Sequence, residues 1–285
     1  MTNTSDPQHS APSTQHYFPP SITRREWRNV MLLATLILIL TTLPYLIGWL
    51  SQTDSLRFNG FMFGTDDGNS YLAKMRLGAR GDWLFHIVYT SEAHDGAFVF
   101  APYLIGGKIA GLIASADSPA LTSALLLVFH LARIIFGWLL ILTVYRFVAH
   151  FITPPTLRLL TTALIAVGGG LGWLLILGGQ DNFLGSSPLD FIVPEGYTFY
   201  LLYGLPHLSL ARIGLLSGLM LILDDRKSGK YRRALLAGLC WLVMAVCVPF
   251  YLAVLATLLG LWGIALWIRA RQFPIRLFWR LLIAG

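Results

Sequence analysis

Charge is what this sequence has least of. Only 12% of its 285 residues are Asp, Glu, Lys or Arg, where a soluble domain carries roughly 25%. A surface with so few ionic groups excludes an ordinary soluble globule. Cysteine is almost absent too. Cys240 and Cys247 stand seven apart in one apolar segment, about 10 Å along a helix and beyond disulfide reach, and two thiols alone cannot build a zinc cluster. Also missing are a serine-nucleophile motif, a zincin motif and a dinucleotide fingerprint in a suitable context. No internal repeat of the kind that marks many secondary transporters is present.

What is abundant is apolar surface. Hydrophobic residues make up 55% of the chain, with 17 Phe and 9 Trp, and the mean hydropathy is +0.64. That excludes a disordered polymer and predicts an all-α, multi-pass transmembrane helical bundle. The 21 basic residues outnumber the 14 acidic ones, giving +7. In a soluble protein such a balance raises the question of nucleic acid. In a membrane protein it is orientation information, because Lys and Arg concentrate in cytoplasmic loops, so no nucleic-acid partner is expected.

Residues 1–29 read as a flexible cytoplasmic tail: Met1 to Ser21 is rich in Ser, Thr, Pro and Gln, and Arg24, Arg25 and Arg28 precede the first apolar run. Residues 30–285 form the transmembrane domain. Val30–Leu50 has 21 residues without a charge, enough to cross a hydrocarbon core of about 30 Å. Further spans are expected at Leu121–Tyr145, Leu159–Leu177, Thr198–Leu223, Ala234–Val248 and Tyr251–Ile268, with Pro249 parting the last two. The Ala234 segment is short, so that pair could instead be one bent unit. A final run from Ile275 stops after 11 residues, too few to cross, so the chain reads as truncated within a larger protein.

Phe98–Ser115 is settled by charge. If it does not span, 14 basic residues lie inside and five outside; if it spans, the numbers become three and 15. The positive-inside rule favours the first arrangement, which makes this segment interfacial or re-entrant. The N-terminus is then cytoplasmic, and the expected location is the plasma (cell inner) membrane. A long first external loop covers 51–120 and a short second one 178–197, and these two hold ten of the 14 acidic residues.

The most informative stretch is Phe61–Arg80, FMFGTDDGNSYLAKMRLGAR. Asp66 and Asp67 stand just before a helical pattern in which Tyr71, Leu72, Met75 and Ala79 share one arc while Lys74, Arg76 and Arg80 lie outside it. Such a helix lies on a membrane surface. Asp67 could simply be its N-cap. Alternatively one Asp caps, and the other acts as a general base or ligates a divalent metal.

An acidic pair in the first external loop, followed by Tyr-Leu, an amphipathic helix and Gly81-Asp82-Trp83, resembles the GT-C glycosyltransferases, a superfamily that includes the protein mannosyltransferases. The resemblance covers Val30 to Ser115 in detail. It implies a cytoplasmic N-terminus, two membrane-surface helices in the first loop, and an acidic residue there near the reacting groups. By that resemblance Asp66 is the first choice for the catalytic acid-base position and Asp67 the second. The pair departs from the Asp-Glu or spaced acids of many relatives, and metal dependence varies within the superfamily, so a divalent metal is open.

Other candidates lie farther along. Glu92 and His94, with Asp95, precede the Phe98 segment and could bind a metal or a sugar, or simply form a polar turn. Arg133 and Arg212 fall inside expected spans, about 18 to 21 Å from their external ends, where an arginine faces a protein interior or an aqueous cavity and can hold a lipid phosphate. His130 shares a helix face with Arg133, and His207 lies in the span of Arg212. The alternative for these groups is an internal polar network that fixes helix packing. Glu195 could reach the surface of Asp66 but also fits a turn. Gly168, Gly169, Gly170 and Gly172 suggest close helix packing.

The expected function is transfer of a sugar from a polyprenyl-phosphate donor to an unidentified acceptor on the extracytoplasmic face. Asp66 or Asp67 would act on the acceptor, Arg133 or Arg212 on the departing phosphate, and Glu92, His94 and His207 would bind substrate. The competing expectations are a transporter or lipid flippase for an anionic substrate, and a non-catalytic membrane assembly partner.

Overall fold

The computed structural model describes residues 21–87, 90–180, 182, 185–224 and 231–285, without the side chains of Asp66 and Arg276. Among the described residues the chain is helical, with an isolated antiparallel bridge between Phe85 and Ala97. Most of the expected tail lies outside the described residues. Its last part does not trail: α1 (Arg24–Leu50) begins at Arg24. Thr23 accepts from the Glu26 amide and the Glu26 carboxylate accepts from the Thr23 amide, a reciprocal cap that starts the helix within the predicted tail.

Among the described residues four helices are long and apolar enough to cross a membrane. They are α1, α4 (Leu121–Val148), α9 (Pro206–Asp224) and α11 (Tyr251–Ala270). Two predicted spans are broken. Leu159–Leu177 becomes α5 (Pro155–Val167) and α6 (Gly172–Leu177). The glycines between them do not serve helix packing as expected. Gly172 N–H donates to Asp190 Oδ2 at 3.0 Å, and a Cβ on Gly170 or Gly172 would collide with that carboxylate. The break is thus a cradle for Asp190, which sits on the one-turn α7 (Leu189–Ile192). Thr198–Leu223 divides into α8 (Thr198–Gly204) and α9, because Pro206 lacks an amide for the ladder and disfavours helical geometry at Leu205.

The first-loop segment forms α2 (Thr65–Ala79) and α3 (Ala101–Ile113). Thirteen residues reach only about 20 Å, too short to cross, in keeping with the charge argument. α10 (Arg232–Cys247) packs most extensively on α9, and α12 (Ile275–Ala284) lies against α10. α11 is held by little: only Tyr251 and Leu255 are buried.

The two ends of this bundle differ chemically. At one end Arg158 Nη1 and the Tyr145 hydroxyl both donate to Glu26 Oε1 at 2.8 Å, and His150 Nε2 lies 3.1 Å from Asp224. The opposite end carries α2, α3 and the 194–198 turn. The main core fills the space between α1, α4, α9 and α10, with Leu140, Ile141, Leu201 and Met244 fully enclosed. A second core, with Phe61, Met75, Leu125 and Phe129, joins α2 and α3 to the start of α4.

The Glu26–Arg158 pair ties the starts of α1 and α5 together. Replacing one partner leaves the other charge enclosed, which costs on the order of 2 kcal/mol, between the values of exposed and fully buried pairs. Arg158→Ala is expected to lower the thermal unfolding midpoint in detergent, and Arg158→Ala/Glu26→Gln to recover part of that loss.

Candidate functional site

The site is built where α2 lies on α3. The crossing is as close as backbones allow: a Cβ on Gly78 would strike the Leu104 carbonyl, and one on Gly107 the Met75 carbonyl. Glycine at both positions lets the helices touch, and this contact brings Tyr71 of α2 over Tyr103 of α3. Their rings stack with centroids 4.7 Å apart and planes 7° from parallel. His207 of α9 completes the group, its ring 5.2 Å from each tyrosine.

The Tyr103 hydroxyl and His207 Nδ1 are 2.5 Å apart. Burial first, then Tyr71, Cys247 and Asp67, push the Tyr103 pKa well above the phenol range. The phenol therefore keeps its proton, and it donates to Nδ1 in the tautomer that carries the imidazole proton on Nε2.

Charge gathers around Tyr71. Burial raises its phenol pKa, and the carboxylates of Asp67 and then Glu195 add to the rise. One acid from the first loop and one from the second thus act on a single hydroxyl. Asp67 is exposed and is not the N-cap of α2. The cap is Gly64 in a left-handed conformation, and Asp67 is the third helical residue, still in the first turn where a carboxylate suits the dipole. The side chain of Asp66 lies outside the described residues.

Lys74 overturns the helical-wheel expectation that placed it off the packed arc: it is buried, at 7% exposure. The segment that follows α2 folds back through the Phe85–Ala97 bridge and covers it. Its ammonium lies 4.7 Å from the Phe100 ring centroid, 5.5 Å from Tyr71 and 5.7 Å from Phe85, and donates to Ser70 Oγ at 2.6 Å. Burial pulls its pKa below the usual lysine range, with Asp67 opposing. The only sequence signal for this was the aromatic content of the covering segment.

Arg212 belongs to the same end. The break before Pro206 puts it about 9 Å from the start of α9, shallower than an unbroken span implied. Nη1 donates to Thr198 Oγ1 at 2.8 Å and Nη2 to the Glu195 carbonyl at 2.6 Å. Both acceptors are neutral, so these bonds orient the guanidinium without cancelling its charge. Arg212 and Glu195 line a cavity of about 660 Å³, with Leu215, Phe250, Tyr251 and Val254 as its apolar wall. Neither Asp67 nor Tyr71 lines this space.

The other candidates lie elsewhere. Arg133 is 1% exposed between α1, α4 and α8, donating to Thr42 Oγ1, Thr41 Oγ1 and the Leu202 carbonyl with Tyr45 4.7 Å below it. His130 Nε2 is 3.0 Å from the Gly60 carbonyl. Both side chains line a separate cavity of about 400 Å³ between α1 and α4, and neither Arg133 Nε nor His130 Nδ1 has a hydrogen-bond partner among the described residues.

Glu92 and His94 sit on the exposed tip of the covering segment. His94 Nε2 accepts from the Ile87 amide and Nδ1 meets the Glu92 carbonyl, so both ring nitrogens are engaged by backbone in a turn. Among the described residues no three His, Cys, Asp or Glu converge as a metal site.

No family model matches this chain, and no curated protein or solved structure matches it.

The α2–α3 contact is testable through its glycines. Gly107→Ala forces a methyl into the Met75 carbonyl, and such overpacking costs about 1–3 kcal/mol. Neighbouring Gly106→Ala meets the flexible end of Met75 at 3.3 Å and is expected to cost far less. Faster amide exchange over 65–79 in Gly107→Ala, but not in Gly106→Ala, is the expected result.

Proposed function

We propose that this chain is a multi-pass membrane glycosyltransferase that takes a sugar from a polyprenyl-phosphate donor, as its resemblance to the GT-C enzymes implies, and that the α2–α3 end of the bundle is extracytoplasmic. One observation carries the reading. Arg212, steered by two neutral oxygens, and Glu195 line one cavity with an apolar wall, and the Glu195 and Asp67 carboxylates both raise the pKa of the Tyr71 phenol.

Those are the groups a displacement at an anomeric carbon needs. Asp67, or Asp66 beside it, takes the proton of the acceptor hydroxyl, and the acceptor oxygen bonds to the anomeric carbon. The bond from that carbon to the phosphate oxygen breaks, with its electron pair leaving on the phosphate. Arg212 sits in the cavity wall where it can neutralise the charge that develops there. The lipid chain of the donor then rests against Leu215, Phe250 and Val254. The charge distribution supports the orientation: the Glu26–Arg158 end adjoins the basic connectors, which the positive-inside rule assigns to the cytoplasm.

A second reading, transport of an anion, draws on Arg133, whose described partners are neutral and which lines its own cavity. Transport requires a passage to both faces. The starts of α1 and α5 are instead joined by Glu26 and Arg158, both buried, which favours the enzyme.

Membranes bearing the full chain, given a radiolabelled polyprenyl-phosphate sugar, test the reading. Asp67→Asn is expected to reduce transfer by roughly 10²–10⁴-fold, and Arg212→Met to lower kcat more than it raises KM, because the phosphate charge grows in the transition state. Unchanged transfer in both Asp66→Asn and Asp67→Asn removes the proposed acid.

A further inference from the structure

Arg133 and His130 belong to a place that the reaction at the α2–α3 end does not use. α1 and α4 pack on one another and have 27 and 28 residues, about 40 Å each and more than a hydrocarbon core needs. Two cavities lie between them. The one already described reaches from Trp49 and Ser123, near the α2–α3 end, to Thr42 and Ile134. A second, of about 370 Å³, is also lined by Thr42 and Ile134 and continues past Leu38, Ile39 and Leu43 to Thr35 and Trp138. Together they form one groove with a polar half and an apolar half. On its rim Leu46, Leu127 and Leu131 are about half exposed, so in a bilayer the groove opens sideways to lipid.

The polar half is incomplete. Arg133 donates to two threonine hydroxyls and one carbonyl, and among the described residues no carboxylate pairs with it. A guanidinium held inside a membrane domain without a counter-charge is costly, and the face of Tyr45 offsets only part of that cost. One turn away on α4, His130 donates from Nε2 to the Gly60 carbonyl, which leaves Nδ1 an acceptor. The unpartnered atoms are therefore one donor, Arg133 Nε, and one acceptor, His130 Nδ1. Their level suits a lipid head. Tyr45 stands five residues from the end of α1, about 8 Å, and side chains on α4 lean toward its start, which carries the guanidinium up to Tyr45 and Thr42.

We propose that this groove holds an anionic phosphodiester lipid of the surrounding bilayer. Its phosphate meets Arg133, a headgroup hydroxyl donates to His130 Nδ1, and an acyl chain follows the apolar half toward Trp138. Charge selects the diester. With His130 neutral in that tautomer, Arg133 supplies the one positive charge of the lining; a phosphate diester carries one negative charge, and a monoester such as a polyprenyl phosphate carries up to about two. The lipid supplies the counter-charge that α1, α4 and α8 lack. This site is independent of the glycosyltransferase reading, and it gives Arg133 a role other than transport.

The full chain, extracted from vesicles of equal parts phosphatidylglycerol and phosphatidylcholine, is expected to retain a single phosphatidylglycerol in native mass spectrometry. Leu127→Trp, which fills the groove from its exposed rim, is expected to lower that retention about tenfold if contact worth two methylenes is lost. Arg133→Gln is expected to lower it about tenfold through loss of a charge-assisted hydrogen bond. Ile47→Trp, exposed on α1 outside the groove, is expected to leave it unchanged. Added phosphatidylglycerol is expected to raise the thermal unfolding midpoint of the unaltered chain and not that of Leu127→Trp, a readout that stands even if Arg133→Gln does not fold. Equal retention of phosphatidylcholine overturns the anionic head. Equal loss in Ile47→Trp, or no loss in Leu127→Trp, reduces the lipid to the surrounding belt and overturns the site. Displacement by an equal concentration of polyprenyl monophosphate overturns the diester and makes the groove a monoester site.

Discussion

The touch of α2 on α3 governs everything at this end of the molecule. Two glycines remove the side chains that would hold the helices apart, so Met75 and Leu104 present backbone oxygens where methyl groups would otherwise stand. Neither helix is long, and a short helix in isolation is marginal. Each is fixed by the other and by the start of α4. The tyrosine stack and the bond to His207 follow from that spacing, and the segment joining the two helices closes over Lys74.

Polar groups are handled differently at the two ends. Glu26 and Arg158 satisfy one another, with Tyr145 and Thr23 filling the remaining positions. That is a closed network, and closed networks hold helices in register. At the other end the arrangement is open: Arg212 is steered by neutral oxygens, Lys74 by aromatic faces and one hydroxyl, and Asp67 is exposed. A guanidinium held in a cavity wall by neutral partners is the raw material of electrostatic catalysis.

Much of this was legible in the sequence, and the failures have physical causes. α1, α4 and α11 were plain because long apolar runs admit one reading, and the distribution of basic residues argued against a crossing by the Phe98 segment, whose helix has 13 residues. Leu159–Leu177 was misread because hydropathy does not register a glycine break that accommodates Asp190 from 18 residues away. Pro206 announced its break, and the apolar run around it concealed the signal. Lys74 was placed off the packed arc because a helical wheel knows only its own helix, whereas the burial comes from the segment after it. The convergence of Glu195 with Asp67 depends on a tertiary fold that brings the second loop to the first, and no local pattern carries it. Asp67 as third residue in place of cap reflects Gly64, whose left-handed backbone started the helix early.

The weak packing of α11 bears on the cavity beside Arg212. Tyr251 and Val254 form part of that wall, yet beyond its first turns the helix meets the described core only through the half-buried Leu259 and Trp262. Within the described residues its anchors are Tyr251 and Leu255, both near its start. A wall pinned at one end only leaves the breadth of the space beside Arg212 to the tilt of a single helix, so a small change in that tilt resizes it.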